Sequence, residues 1–211
     1  ENSAGRMLGE ADLPALGDDV AVLHFSGISL ATEPCGSTFE ALARREHPRR
    51  VIVLDPNIRP ALIRDADAHR ARMARMIATT DILKVSEEDM DWLAVGDFAE
   101  ASSRWIAGGM SLVILTKGAG GATAFFRDGF VSVAAPRVSA VNTIGAGDNF
   151  LAGVLAHLAE DGRLLRTAVA RIDGASLTRA LDMGCRAAAL RIAHRKGEAP
   201  TRRQLAALST I

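Results

Sequence analysis

A glycine-rich turn at residues 145–147 is followed at once by a carboxylate and then by a helical pattern. The turn consists of Gly145, Ala146 and Gly147, and the carboxylate belongs to Asp148. Glycine adopts backbone angles that a side chain forbids, so the turn can curl with its amides pointing one way. The following helix would add a positive dipole end and unpaired N–H groups, which together predict an anion site beside Asp148.

This combination suits phosphoryl transfer. Amides stabilise the charge that grows on a moving phosphoryl group, while a carboxylate takes the proton from an attacking hydroxyl. The same residues also have a structural interpretation, since aspartate is favoured in first helical turns and Gly-x-Gly is common in loops. The turn is not of the Walker type, which ends in Gly-Lys-Ser/Thr, and it lacks the strand-then-GxGxxG order of a dinucleotide-binding fold.

A second glycine-rich turn, with the sequence TKGAGG, ends the apolar run at residues 112–116. Ligands of open α/β sheets bind at the carboxyl ends of the strands, so a nucleotide could approach the backbone closely at this turn. The alternative is a plain connector from a strand to a hairpin. The candidate nucleotide-binding residues are Thr116, Lys117, Gly118 and Gly121.

A third polar turn, DPNIRP at residues 55–60, follows another apolar run. Prolines stiffen it on both sides, and we expect Asn57 and Arg59 to project into the same crevice. The paired donors of arginine suit a carboxylate or phosphate on a substrate. A surface arginine beside a rigid turn is the alternative. Three polar turns at three strand ends predict one convergent site.

Short β-branched runs alternate with longer helical stretches over the first half of the chain. We predict strands at 20–25, 51–54, 82–85 and 112–116, and helices at 33–46, 67–79, 87–95 and 98–106. Continuous apolar runs are typical of strands that are buried on both faces. Their alternation with helices predicts a mostly parallel sheet in a three-layer α/β/α sandwich.

The pattern changes after Lys117. Asp128 and Gly129 between two apolar runs, 122–127 and 130–135, predict a late β-hairpin. Helices are predicted beyond it, at 148–160, 177–195 and 202–208. No repeat divides the chain, so we expect one domain. The arginines at positions 70, 72 and 75 are expected to form a solvated helix face.

Composition excludes several classes of partner. Basic and acidic residues balance, 25 of each, which argues against nucleic acid or an anionic membrane surface. The longest apolar runs are too short to span a bilayer. No charged-then-apolar segment opens the chain, and Cys35 and Cys185 are too few for a disulfide framework. We therefore expect a cytoplasmic protein with two free thiols.

At these residues the sequence resembles the PfkB (ribokinase-like) carbohydrate kinase family. NTIGAGDNF, at residues 142–150, is similar to the family signature DTxGAGDxF; TKGAGG resembles its nucleotide loop and DPNIRP its sugar-facing segment. LHFSGISLATEPCGST and DILKVSEEDMDWL resemble 2-keto-3-deoxygluconate kinases and bacterial fructokinases in particular.

The resemblance implies a ribokinase-like domain over residues 1–211, with a Rossmann-like sheet. It implies an ATP-dependent kinase of a keto sugar or sugar acid, with 2-keto-3-deoxygluconate as the expected substrate. A fructokinase or nucleoside kinase of the same fold, or a truncated binding domain, are the alternatives. Mg²⁺-ATP, and often a stimulating potassium ion, are the implied cofactors.

The resemblance also assigns roles by position. Asp148 would be the base that activates the sugar hydroxyl, and the amides of residues 145–147 would form the anion hole. Residues 116–118 and Gly121 would line the ATP site, and Arg59 with Asn57 would hold the sugar. Ser86 and Asp89 stand where many members carry Asn-x-x-Glu, so Ser86 is a candidate for the nucleotide and Asp89 for the metal.

Beyond the replacement of Asn-x-x-Glu at residues 86–89, two further departures from the family pattern bear on these expectations. Asn142 replaces the leading aspartate of the signature, which weakens the case for a monovalent-cation site. The glycine-rich amino-terminal sugar signature is absent from these 211 residues. In the family that portion supplies the first strands, part of the sugar pocket and a β lid that often mediates dimers. The resemblance is therefore compatible with a homodimer but does not require one. We also expect one edge of the sheet to be uncovered.

Overall fold

The computed structural model describes residues 5–194 and 198–208. A mixed sheet lies at its centre, and the spatial order of the strands follows the chain. The first four strands pair in parallel, and the last two pair antiparallel as a hairpin. The strands are β1 (Val22–Ser26), β2 (Val51–Asp55), β3 (Ile82–Ser86), β4 (Leu112–Thr116), β5 (Ala122–Phe126) and β6 (Gly129–Val133).

Helices cover both faces of this sheet, which confirms the predicted α/β/α sandwich. They are α1 (Ile28–Ala31), α2 (Cys35–Glu46), α3 (Ala66–Ile77), α4 (Glu87–Leu93), α5 (Phe98–Ala107), α6 (Ala146–Glu160), α7 (Arg166–Val169), α8 (Gly174–Ala193) and α9 (Arg202–Ala207). The predicted helices are present with shifted ends. α6 begins at the second residue of the glycine turn, and the predicted end of α8 at Arg195 lies outside the described residues.

Successive side chains of each strand point to opposite faces of the sheet, and each face packs in its own apolar core. Val51 and Val53 of β2 pack in the core with α6 and α8, whereas Ile52 and Leu54 pack with α2 and α3. Every residue of β2 is buried. Burying one such side chain contributes about 1.5–3 kcal/mol to the stability of the fold. Because both faces of the strands are buried, their sequences are continuous apolar runs.

Two glycines set the position of α6 against α8. A Cβ on Gly153 would lie 2.9 Å from the Gly184 Cα atom, and a Cβ on Gly184 would lie 2.8 Å from the Phe150 carbonyl oxygen. The helices can pack this closely only because neither residue carries a side chain. α8 therefore lies directly beside the first turns of α6.

The strands β2 and β3 pair over a shorter stretch than their neighbours. Their register joins Val53 to Ile82 and Leu54 to Leu83, whereas β3 and β4 pair from Ile82 to Ser86. At the amino end the Asp81 carboxylate accepts a hydrogen bond from the Ile52 amide at 2.9 Å. The backbone pairing of the two strands thus stops before their carboxyl ends.

The predicted solvated arginine face is only partly correct. The Arg75 side chain is 57% exposed and pairs with Glu40. The Arg72 side chain is only 12% exposed, because it donates to the Leu30 carbonyl at 2.8 Å and pairs with Glu33. Arg70 stacks on Trp92, with its Cζ 4.5 Å from the ring centroid. Over the described part of the chain, no helix is long and apolar enough to cross a bilayer.

Candidate active site

A cavity of about 1000 Å³ opens where the carboxyl ends of β2, β3 and β4 meet the start of α6. It brings together most of the residues that the three turns predicted. Those that line it are Asn57, Arg59, Ser86, Asp89, Thr116, Lys117, Gly118, Gly121, Ala146 and Gly147. Gly145 and Asp148 are adjacent to it in the chain, at the N-cap and in the first turn of α6.

The turn before α6 has the geometry of an anion site. Gly145 is the N-cap in the left-handed conformation, with φ 79° and ψ 10°, and it offers no side-chain acceptor to the amides of the first turn. Asn149 braces the turn by donating to the Gly145 carbonyl at 2.9 Å. Asn142 accepts a hydrogen bond from the Ile144 amide at 3.0 Å. No capping side chain therefore competes for the first-turn amides, as an anion site requires, although the Ala146 amide donates to the Thr143 carbonyl at 3.2 Å.

Asp148 is exposed in that first turn and interacts electrostatically with two groups on the neighbouring strands. One is Asp55, whose pKa the Asp148 charge helps to raise. The other is His24 on β1, whose pKa is lowered chiefly because surrounding protein removes part of its hydration; Asp148 opposes this shift and Lys84 adds to it. Asp148 thus lies within electrostatic range of β1 and of the end of β2.

Asp55 and Lys84 form a buried ion pair that the sequence reasoning missed. The Lys84 Nζ atom lies 3.2 and 3.1 Å from the two carboxylate oxygens of Asp55. The side chains are 5% and 0% exposed. Burial raises the pKa of Asp55, and Lys84 opposes that shift. The sequence did contain a signal for this pair, because each of the two apolar strands carries one charged residue. A charge is rarely buried without a partner, so two such residues indicate an ion pair.

Ser86 and Asp89 form a capping box at the start of α4. One Asp89 carboxylate oxygen accepts hydrogen bonds from the Ser86 amide at 2.9 Å and from the Ser86 hydroxyl at 2.8 Å. The other Asp89 oxygen accepts a hydrogen bond from the Ile58 amide at 2.7 Å. Asp89 therefore ties the DPNIRP turn to the end of β3. Its role as a metal ligand stays a prediction, and any such bond would share oxygens that already accept three hydrogen bonds.

The DPNIRP turn holds its two candidate residues differently. Asn57 adopts a left-handed conformation with φ 43°, which asparagine tolerates better than most residues. Arg59 is exposed and donates to the Ile58 carbonyl at 2.8 Å. Both side chains line the cavity, so the turn presents an amide and a guanidinium to it.

The TKGAGG turn lies across the cavity from DPNIRP. Lys117 donates to the Thr123 hydroxyl at 2.9 Å, and Gly118 has φ 53°. Gly121 is required by packing, because a Cβ there would lie 2.0 Å from the Val133 carbonyl oxygen of the hairpin. The connector interpretation thus accounts for Gly121. The backbone of the turn is hydrogen-bonded internally, with the Lys117 amide donating to the Gly121 carbonyl at 2.8 Å and the Gly120 amide to the Lys117 carbonyl at 2.8 Å.

Apolar side chains form the remaining wall of the cavity. They come from α8 and from the loop before α6, and they are Cys185, Ala188, Ala189, Ile192, Pro136 and Val138. Burial raises the pKa of the Cys185 thiol to about 11, so it behaves as a small apolar residue. A flat apolar wall beside a glycine-rich turn and an anion site suits a nucleotide base and its phosphates.

Residues 9–203 match the family described as pfkB family carbohydrate kinase. The chain belongs to this family. A fructokinase from Rhizobium leguminosarum bv. trifolii is 47% identical over 205 residues, which cover 97% of this chain and 61% of that protein. The predicted ribokinase-like fold and the assignment to carbohydrate kinases are therefore confirmed.

Solved pfkB structures agree with the fold. Fructokinase from Vibrio cholerae O395, with fructose, ADP and calcium bound, superposes with a TM-score of 0.82 at 25% identity, covering 98% of this chain and 66% of that one. Aminoimidazole riboside kinase from Salmonella enterica has a TM-score of 0.78 at 26% identity, covering 96% and 66%. The chain thus spans a little under two thirds of these relatives.

These relatives include fructokinases, whereas 2-keto-3-deoxygluconate kinase was the expected activity. LHFSGISLATEPCGST resembles both kinds of kinase, so this stretch does not separate the two.

Proposed function

We propose that the protein is an ATP-dependent kinase of a keto sugar, with fructose as the preferred substrate. The observation that carries this is the start of α6, where the N-cap Gly145 offers no side-chain cap and Asp148 lies in the first turn, next to Ala146 and Gly147 of a cavity large enough for a nucleotide. Similarity to fructokinases supports fructose over a sugar acid. The nucleoside kinase alternative keeps support from aminoimidazole riboside kinase.

The proposed mechanism assigns each step to a group in this site. Asp148 accepts the proton of the attacking sugar hydroxyl, and the amides at the start of α6 stabilise the charge on the transferred phosphoryl group. The nucleotide lies along residues 116–121, with its base against the α8 wall. Arg59 and Asn57 contact the sugar from the DPNIRP turn.

A divalent cation fits the acidic start of α4. Glu87, Glu88 and Asp89 line the cavity there, and carboxylate oxygens are the ligands that Mg²⁺ prefers. Within residues 5–194 and 198–208, no group of three or more His, Cys, Asp or Glu side chains is arranged to hold a metal ion. Mg²⁺ held by these carboxylates together with the nucleotide would neutralise phosphate charge. Potassium stimulation stays a prediction.

The decisive experiment is Asp148→Asn in the full chain. We expect kcat for fructose to fall by about 10³-fold or more, because the base is lost while the amides remain. The Kd for ADP, measured by calorimetry, should change little. Asp67→Asn is the matched control, since Asp67 also lies in a first helical turn and its side chain is 98% exposed. Wild-type turnover by Asp148→Asn would show that the assigned base is wrong.

A substrate panel separates the alternatives. Fructose, 2-keto-3-deoxygluconate and a nucleoside are offered with Mg²⁺-ATP, with and without potassium. Fructose should give the highest kcat/KM, and Arg59→Gln should lower kcat/KM most for the acidic sugar. A binding domain without activity would turn over none of the three. Homodimer formation and a cytoplasmic location also remain proposals, the first testable by light scattering.

A further inference from the structure

We propose that Lys84 is a further catalytic residue, whose ammonium donates a hydrogen bond to the phosphoryl group during transfer, and that Asp55 is its positioning residue. This inference rests on the proposed kinase function. It concerns a pair of side chains that none of the three turns contains, because both lie within strands of the sheet.

The position of Lys84 at the anion site carries the inference. Its Nζ atom lies 3.1 Å from where a Cβ on Gly147 would be, so the ammonium lies against the turn that precedes α6. Lys84 also lines the large cavity, although its side chain is only 5% exposed. A cation at this point therefore lies beside the amides of the anion site, within a largely dehydrated wall.

The hydrogen bonds of Lys84 leave one donor available. An ammonium carries three N–H donors. Two of them reach the Asp55 oxygens at 3.1 and 3.2 Å, and Asp55 is its hydrogen-bond partner among the residues that the structure describes. The remaining donor is available on the side where Gly147 and the cavity lie. A phosphoryl oxygen held by the α6 amides would accept it.

A purely structural role explains the pair less well. Replacing a buried ion pair by apolar side chains of similar size is often neutral or stabilising, so a pair of this kind is weak evidence of a stability device. Both neighbours on the same face of the sheet, Val53 and Ile82, are fully buried apolar residues. The charged side chains of this face lie at the strand ends beside the cavity, which indicates that the pair functions in the cavity.

The charges around the pair explain why a fixed ammonium is needed. Asp89 and Asp148 both act to raise the pKa of Asp55, which shows that three carboxylates share this end of the sheet. A polyphosphate entering such a site meets repulsion. Lys84 offsets the charge of Asp55 and presents a fixed N–H donor to the phosphoryl oxygens without the need to reorganise, because Asp55 fixes its position.

The group transfer balances without a proton from Lys84. The sugar oxygen forms a bond to the γ-phosphorus, and its proton passes to Asp148. The bond between that phosphorus and the β,γ-bridging oxygen breaks, and its electron pair leaves with ADP. Lys84 stays protonated throughout and contributes a hydrogen bond that strengthens as charge grows on the equatorial oxygens.

The test uses Lys84→Met and the double variant Lys84→Gln/Asp55→Asn in the full chain. The double variant keeps a polar, neutral pair, so it avoids a buried unpaired carboxylate. For both we expect kcat to fall by about 10²–10³-fold, as for loss of one oxyanion donor, with the Kd of ADP nearly unchanged. Binding of ADP with aluminium fluoride and fructose, which mimics the transition state, should weaken by a similar factor.

Two outcomes would be decisive against the proposals. If the wild-type chain phosphorylates no sugar of the panel, the kinase function itself fails. If the wild type is active and the double variant, folded by circular dichroism, retains its kcat and its affinity for the aluminium fluoride complex, only the role of Lys84 fails. Lys117→Met serves as a comparator, because its loss should raise the KM for ATP more than it lowers kcat.

Discussion

Gly153 in α6 and Gly184 in α8 face each other so closely that a Cβ on Gly153 would lie 2.9 Å from the Gly184 Cα atom. The clash would be with backbone, which cannot rotate away. We expect Gly153→Ala to lower the free energy of unfolding by about 1–3 kcal/mol, because overpacking outweighs the gain in helix propensity. Urea unfolding followed by circular dichroism measures it.

Gly174→Ala is the matched control for this contact. Gly174 is also helical, but a Cβ there would meet Phe126 at 3.6 Å, which is ordinary van der Waals contact. The control should be neutral or slightly stabilising. If Gly153→Ala were as stable as Gly174→Ala, the two helices would be free to move apart, contrary to the packing described.

Asp89 is expected to be a structural anchor of the site. Asp89→Asn replaces one acceptor oxygen by an NH₂ group that faces an N–H donor, either Ile58 or Ser86. The unfavourable contact should lower the free energy of unfolding by about 1–3 kcal/mol. Thermal unfolding without nucleotide gives the shift, with Asp91→Asn on the exposed side of the same helix as the control. Equal melting temperatures for the two variants would refute the anchor role.

Acid should destabilise the protein through carboxylates held by arginines. A hydrogen bond from Arg50, supported by Arg45, lowers the pKa of Glu46, and arginines lower the pKa of Glu33 and Glu40 despite opposing desolvation. A carboxyl with a lowered folded pKa stabilises the fold above its unfolded value, about 4.3 for glutamate. That contribution is lost as the pH falls through the folded value.

The free energy of unfolding should therefore decrease below about pH 4.3. Glu46→Gln should reduce that decrease and cost about 1–3 kcal/mol at pH 7, because it leaves Arg50 buried with a weaker partner. Urea unfolding over a pH series measures both effects. Glu10→Gln at an exposed position controls for the substitution at pH 7. An unchanged acid response in Glu46→Gln would contradict this account.

The two cysteines should resist alkylation in the folded protein. Both are buried and free, and burial raises the pKa of Cys185 to about 11. At pH 8 roughly one Cys185 in a thousand would then be a thiolate, the reactive form. Iodoacetamide labelling followed by mass spectrometry should modify neither residue until urea is added. Rapid labelling of native Cys185 would show that the cavity wall is open to reagent.

Much of the fold could be predicted because its signals are local. The strands are buried on both faces and so appear as continuous apolar runs, and Asp128-Gly129 marks the hairpin on its own. The four-residue helices α1 and α7 could not be predicted, since neither is long enough to show a helical period. Their positions depend on tertiary packing.

Of the candidate site, only the residues in the turns could be predicted from the sequence. Residues in loops at strand ends are marked by glycine, proline and charge, and the three turns do meet at one cavity. Lys84 and Asp55 lie in different strands, and their pairing depends on the order and register of those strands. Sequence could place a charge in each strand, but it could not place the two charges together. The proposed preference for fructose rests likewise on similarity to fructokinases and not on any single residue.

The backbone ladder between β2 and β3 is the shortest in the sheet, with two register pairs where each other strand pair has five. Asp81 holds the amino ends together, through its amide to the Ile52 carbonyl and its carboxylate to the Ile52 amide, both at 2.9 Å. Beyond Leu54 and Leu83 the connections pass through side chains, namely the Lys84–Asp55 ion pair and the bond from Asp89 to Ile58. Side-chain bonds thus join the proposed sugar-side turn, which follows β2, to the strand pair β3–β4 that carries the proposed nucleotide-side turn.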